Sequence, residues 1–189
     1  MFAQQYKGAI LLLLVFLLSI WVVNNEPEQI LGQDSIQKEH RADHFALNYN
    51  KITMDKAGRP ANKLYADFAA HYGDNDETEL TNPLLTVYKG DLPPWIIRSK
   101  TGVIADDGDM VLMHGQVYID RASAKNVREV NVKTSNLRIQ PKKNYAETDE
   151  WAELVTGLDT ISGVGMKLFY QDPLYIELLA NVKGTHVYK

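Results

Sequence analysis

Alternation of apolar and polar side chains recurs along most of this chain, and it narrows the fold more than any other feature. From about Phe45 onward, Trp95-Ile-Ile-Arg-Ser sets Trp95 and Ile97 on one face and Arg98 and Lys100 on the other. Gly115-Gln-Val-Tyr-Ile-Asp places Val117 and Ile119 together. Val130-Asn-Val-Lys-Thr, Leu137-Arg-Ile, Met166-Lys-Leu and Leu174-Tyr-Ile-Glu-Leu repeat the pattern. A period of two puts every second side chain on the same face of an extended chain, so these segments read as half-buried strands and not helices. Polar turns separate them at Gly73-Asp-Asn-Asp, Ala105-Asp-Asp-Gly-Asp and Pro141-Lys-Lys-Asn. Asn62 to His71 has helical spacing over a short stretch, but its β neighbours favour a strand there too.

A faint internal repeat accompanies the alternation. Units of strand, polar turn, strand and a Pro or Gly run from Leu64 to Tyr88, Trp95 to Ile119 and Val130 to Ile161, with Pro83, Gly115 and Gly157 at comparable points. Stacked hairpin units fit a β-solenoid or an elongated jelly roll. Alternate side chains then point inward along every strand, and the interior is either a filled core or an elongated apolar groove.

The N-terminus is different in kind. Gly8 to Val23 reads GAILLLLVFLLSIWVV, sixteen residues without a charge. As a helix it would be about 24 Å long, a little short of the ~30 Å hydrocarbon core of a bilayer. Phe2, Ala3 and Tyr6 extend it on one side, and Trp21 sits near the far end, where an amphipathic ring suits an interface. The run ends in Val22-Val23-Asn24-Asn25-Glu26-Pro27 with no small-residue cleavage site, so it reads as an uncleaved anchor and not a signal peptide. Lys7 precedes it while Glu26 and Glu28 follow, which places the N-terminus in the cytoplasm. The expected organisation is an anchor over 1–23, a flexible polar spacer over 24–44, where Pro27 and Gly32 break local order, and a β-domain over 45–189 on the far side of the membrane.

Several chemistries are disfavoured. The chain has no cysteine, which removes disulfides, thiolate nucleophiles and cysteine metal sites. A net charge of −4 with interspersed signs does not fit a nucleic-acid binder. His40 and His44 stand four apart, but they lie in the spacer, where no helix is expected to hold both on one face. The acidic runs Asp74-Asn-Asp-Glu and Asp106-Asp-Gly-Asp lack the Glu that closes a calcium loop and read as hairpin turns. No nucleophile-elbow, zinc-protease or P-loop pattern occurs, so no enzyme is expected.

Leu64-Tyr65-Ala66, Asn82-Pro83-Leu84-Leu85-Thr86-Val87-Tyr88, Pro94-Trp95, Gly115-Gln116-Val117 and Leu154-Val155-Thr156-Gly157 leading to Gly165-Met166-Lys167, in that order behind a short anchor, resemble the LptC family. That family is the inner-membrane-anchored component of bacterial lipopolysaccharide export. The resemblance implies an open, twisted β-jelly roll with an apolar groove, and no cofactor. It implies that the domain receives lipopolysaccharide from an ABC transporter of LptB, LptF and LptG and passes it to LptA. It also implies that the anchor lies against the transporter's membrane helices.

Lipid acyl chains cannot cross water unaided, since each exposed methylene costs about 0.8 kcal/mol. The alternation marks Leu80, Leu85, Val87, Trp95, Ile97, Val111, Met113, Val117, Ile119, Ile139, Met166, Leu168, Ile176 and Leu178 as inward side chains that line such a groove or fill a closed core. A closed core would make the chain a membrane-tethered scaffold that binds only proteins. For partners the resemblance implies edge pairing. The C-terminal strand, Asn181 to Tyr188 with Val182, Lys183, His186 and Val187, would meet LptA, and a strand near Phe45 to Thr53 would face the transporter. Gly157 reads as a turn or bulge glycine, with transporter docking as its implied second role.

Overall fold

The computed structural model describes residues 7–24, 41–171 and 173–187. Two compact units divide the chain between Glu39 and His40. The first holds one helix, α1 (Lys7–Asn24). Its described side chains, Leu12 to Trp21, are all exposed, and the Ser19 hydroxyl donates back to the Phe16 carbonyl at 2.8 Å. That bond removes the Ser19 hydroxyl donor from the helix's apolar surface. Eighteen residues make a helix of about 27 Å, and among the described residues no helix is long and apolar enough to cross a membrane. The expected spacer over 24–44 falls mostly outside the described residues, as does His40.

The second unit is antiparallel β throughout. Its strands are β1 (His44–Met54), β2 (Pro60–Tyr72), β3 (Glu77–Thr81), β4 (Leu84–Lys89), β5 (Leu92–Arg98), β6 (Thr101–Ala105), β7 (Met110–Arg121), β8 (Val130–Gln140), β9 (Tyr145–Thr156), β10 (Asp159–Phe169) and β11 (Tyr175–His186). Asn62 to His71 is strand, within β2. Of the three polar segments expected as turns, the first is a turn and the other two are built on one-turn 3-10 helices, Asp106–Gly108 and Pro141–Lys143. The sheet runs β11-β10-β9-β8-β7-β5-β4-β2-β3-β6, and β1 pairs with β2.

The pairing shows how this sheet is bent. The first half of β2 pairs with β4 and its second half with β3. The two halves of β7 pair with β6 and β5 in the same way. So β3 with β4, and β5 with β6, are single rows interrupted at Asn82-Pro83 and Ser99-Lys100, and eleven strands form nine rows. Each row is creased near its middle, and the sheet folds over along that line into two facing leaves. One leaf contains β4, β5 and the C-terminal half of β7. The other contains β3, β6 and its N-terminal half. Asn48, Asn82, Gly115, Asn136, Gly165 and Asn181, in six separate rows, all have positive φ and mark the crease. Gly and Asn are the residues that enter this region at least cost.

Side chains at the crease replace the ladder bonds that the bend removes. The Gly115 amide donates to Asn136 Oδ1 at 2.9 Å, and Asn136 Nδ2 donates to Glu150 at 3.1 Å. Asn82 Nδ2 donates to Asp67 at 2.8 Å. Two fully buried threonines serve carbonyls there: Thr134 donates to Trp151 O at 2.9 Å and Thr148 to Ser135 O at 2.6 Å. The extra residue also shifts the burial period. In β8, Val130, Val132 and Thr134 point inward before Asn136, and Leu137 and Ile139 after it. A one-residue insertion keeps the same face inward on both leaves.

Two expectations change. Successive rows are neighbouring antiparallel hairpins, which leaves a jelly roll and removes the solenoid. The three proposed marks are also not equivalent: Pro83 and Gly115 lie at the crease, whereas Gly157 lies in the turn between β9 and β10.

Candidate functional site

The space between the leaves gathers the expected inward residues. Leu80, Leu85, Val87, Trp95, Ile97, Val111, Met113, Val117, Ile119, Ile139, Met166 and Leu168 are buried in one apolar cluster, and Val87, Ile97, Met113, Val117 and Ile119 have no exposure at all. Ile176 and Leu178, in the last row, are half-buried against that cluster, and so is Tyr49 in the first row. The centre is therefore filled. Toward both end rows the inward faces are only partly covered.

The alternation alone missed Ala66, Ala69, Ala146 and Ala152, which are also in the cluster. Alanine reads as neither clearly apolar nor polar in a strand pattern. Small side chains here let the leaves approach. Tyr170 was missed as well. It follows β10, is 1% exposed, and its hydroxyl has no hydrogen-bond partner among the described residues. Burial pushes its ionisation far above the usual tyrosine range.

Opposite the crease the leaves face each other across a rim made of turns. Lys89, at the end of β4, reaches across it. Its ammonium donates to Asn144 Oδ1 in the β8–β9 turn and lies 5.7 Å from the Tyr170 ring centroid. Asn144 in turn accepts the Tyr170 amide at 3.0 Å through its carbonyl. Burial lowers the Lys89 pKa from its ordinary value. On one side of this clasp a 240 Å³ cleft opens between Lys51, Leu64, Leu85, Ile104 and Val111. On the other a 600 Å³ cleft opens between Leu92, Val130 and Leu154 of one leaf and Leu174 and Ile176 of the other. The larger volume is within the range of pockets that hold organic ligands, ~300–1,000 Å³.

The two sheet edges are exposed. β1 carries Phe45 at 72% and Leu47 at 70% exposure. The final strand begins at Tyr175, earlier than expected, so Leu174–Leu178 and Asn181 onward form one row creased at Asn181. Val182, Lys183 and His186 lie on its second half, and Val187 lies just beyond it. Lys183 pairs with Ser162 in register, and the His186 ring bonds the Asp159 carboxylate. Tyr188 is outside the described residues. Gly157 has φ +62 in the two-residue β9–β10 turn, with open space around a Cβ placed there. Positive φ at the first central residue alone is the pattern of a II′ hairpin turn. Among the described residues no group of three or more His, Cys, Asp and Glu side chains could hold a metal ion.

With this geometry in place, comparison with known proteins is informative. No curated protein matches the chain. A solved structure with a similar fold is that of LptH from Pseudomonas aeruginosa. It is described as the LptA-homologous periplasmic component of the conserved lipopolysaccharide transport device. At 10% identity it aligns with 67% of this chain and 95% of its own, with a TM-score of 0.53, and so speaks to the fold alone. The family described as lipopolysaccharide-assembly, LptC-related, matches residues 11–187. That span takes in most of α1 and every strand from β1 to β11, and it identifies the chain as a member of the LptC family.

Proposed function

We infer that the β-domain carries lipopolysaccharide with its acyl chains between the two leaves, as one station in a relay from an inner-membrane ABC transporter of LptB, LptF and LptG to LptA. The observation that carries this reading is the contrast between a sealed centre and half-covered end rows. Inward apolar positions continue through Tyr49 on one side and Ile176 and Leu178 on the other, where they are only partly covered. An apolar lane that ends half-covered at two exposed edges can continue into neighbours of the same architecture by strand pairing. β1 would face the transporter and β11, through Val182, Lys183, His186 and Val187, would face LptA. The rest of the reading concerns the membrane. An N-terminal helix apolar on its described faces fits a bilayer or a protein partner within it. On this reading α1 would tether the chain to the inner membrane, its N-terminus cytoplasmic and the β-domain periplasmic.

The filled centre favours a second reading, a tethered scaffold that binds only protein. One experiment separates the two. A photo-crosslinking amino acid is placed in cells at the half-buried inward positions Tyr49, Leu154, Ile176 and Leu178, and at the outward position Lys133 as a control. Lipopolysaccharide adducts at the inward set and not at the control are expected. Adducts to protein alone at every inward position would leave the scaffold.

A further inference from the structure

Among the described residues three side-chain hydroxyls are buried, those of Thr134, Thr148 and Tyr170. The two threonines lie at the crease, and each donates to a backbone carbonyl. The Tyr170 hydroxyl has no hydrogen-bond partner among the described residues, although the residue is only 1% exposed. A buried donor without a partner forfeits the bonds that water would give it. Phenylalanine would fill the same space without that loss, so the oxygen weakens the ligand-free fold.

Its placement is well defined. Tyr170 continues the inward parity of Met166 and Leu168, which have no exposure, and belongs to the same apolar cluster. The other buried members of that cluster carry no side-chain oxygen. The backbone is tied to its own leaf, because the Tyr170 amide donates to the Asn144 carbonyl at 3.0 Å. From the facing leaf Lys89 reaches over the ring, 5.7 Å from its centroid, to bond Asn144 Oδ1. The phenol therefore lies beneath the clasp, one residue past the rim end of β10. A cation at the ring face draws electron density from the phenol and strengthens its O–H as a donor. Burial keeps the proton on the oxygen through the neutral range. Tyr170 thus presents a neutral donor in apolar surroundings. A neutral acceptor attached to an apolar chain can reach it without bringing a charge into the interior.

We propose that the Tyr170 hydroxyl is a ligand contact, donating to the ester or amide carbonyl that links an acyl chain to its head group. The proposal rests on the reading that acyl chains lie between the leaves, and it adds a depth and a chemical class. A chain whose head group stays at the rim brings its linkage carbonyl to the level of the clasp, while its methylenes continue toward Leu168 and Met166. One polar group in an apolar wall fixes how far such a ligand slides inward. An alkyl chain lacking the carbonyl would leave the donor unsatisfied and bind less well.

Tyr170→Phe removes the oxygen and nothing else, so stability and binding can be read apart. The full chain is held in dodecyl maltoside, a detergent with no carbonyl, and the ligand is lipid A isotope-labelled at its acyl carbonyls. The variant should unfold at the same denaturant concentration as wild type or a higher one, while its affinity for lipid A falls about five-fold, the size of one hydrogen bond. On binding to wild type, part of the labelled carbonyl infrared band should move to lower frequency, and Tyr170→Phe should lack that component. Easier unfolding of the variant would mean that the hydroxyl serves the fold, and would overturn the contact. So would equal affinity, or weaker binding with the shifted band still present. Photo-crosslinking from Ile176 and Leu178 reports separately on the lane. Crosslinks to lipid A there, with Tyr170→Phe indistinguishable from wild type, would remove the contact and keep the lane. No crosslinks at either position would remove both.

Discussion

The crease and the rim of the folded sheet are built on opposite principles. At the crease, backbone conformation and side chain agree: left-handed Asn and Gly residues turn the rows, and Asn82, Asn136, Thr134 and Thr148 supply the bonds that the bend removes. At the rim, the leaves meet through a lysine bonded to a turn asparagine, and two clefts remain. A bend fixed by local conformation thus stands opposite a mouth closed by a part-buried polar contact between two turns.

Substitutions can break or sharpen that contrast. The largest effect should come from Gly102→Ala near the crease, where a new Cβ would sit 2.6 Å from the Leu112 carbonyl oxygen, a backbone atom that cannot step aside. A loss of about 3 kcal/mol in chemical unfolding is expected, at the upper end for overpacking. Asn136→Ala should cost about 2 kcal/mol, from the lost bond to Gly115 N–H and the left-handed strain together. Asn136→Gly should cost about half as much, because it keeps the conformation and loses only the side-chain bonds to Gly115 and Glu150. Equal losses would mean that the backbone conformation contributes nothing.

Gly157→Arg tests a rim turn. Its positive φ should cost about 1 kcal/mol, with no clash because nothing lies within 4 Å of the Cβ position. Association with the transporter, measured by co-purification, should fall by more than expression does. Parallel loss of both would leave the glycine a turn residue only. Lys89→Met should have the smallest effect at neutral pH, within about 0.5 kcal/mol, since an apolar side chain of similar length removes a buried charge along with its bond. The pH dependence has a defined sign. Because burial lowers the Lys89 pKa in the folded state, the cost of burying the charge is present at neutral pH and fades as pH rises from the folded value toward 10.5. Wild type should therefore gain stability relative to Lys89→Met over that alkaline window.

Much of this was legible in the sequence because period-2 alternation reports burial directly. Twelve of the fourteen expected inward residues are buried, and the other two, Ile176 and Leu178, are half-buried. The crease was present as a change of parity. Inward residues fall on even positions at Leu80 and on odd ones at Leu85 and Val87, with Asn82-Pro83 between them. What alternation cannot report is which row faces which. Arg121 and Ile176 line one cleft because the sheet folds over, and nothing near either residue in the chain signals the other. The rim clasp joins Lys89 to Asn144 across 55 positions for the same reason. The buried alanines were invisible because their small size, not their polarity, suits them to the close approach of the leaves.

The central proposal is that lipid lies between the leaves, and locking the rim tests most directly whether the leaves must part to admit it. The chain has no cysteine, so a Lys89→Cys/Asn144→Cys pair can be joined across the mouth by a bismaleimide with a cleavable disulfide spacer. Lipopolysaccharide loading should fall steeply in the joined protein and return when the spacer is cut. Loading that is the same before joining, while joined and after cleavage would contradict the account.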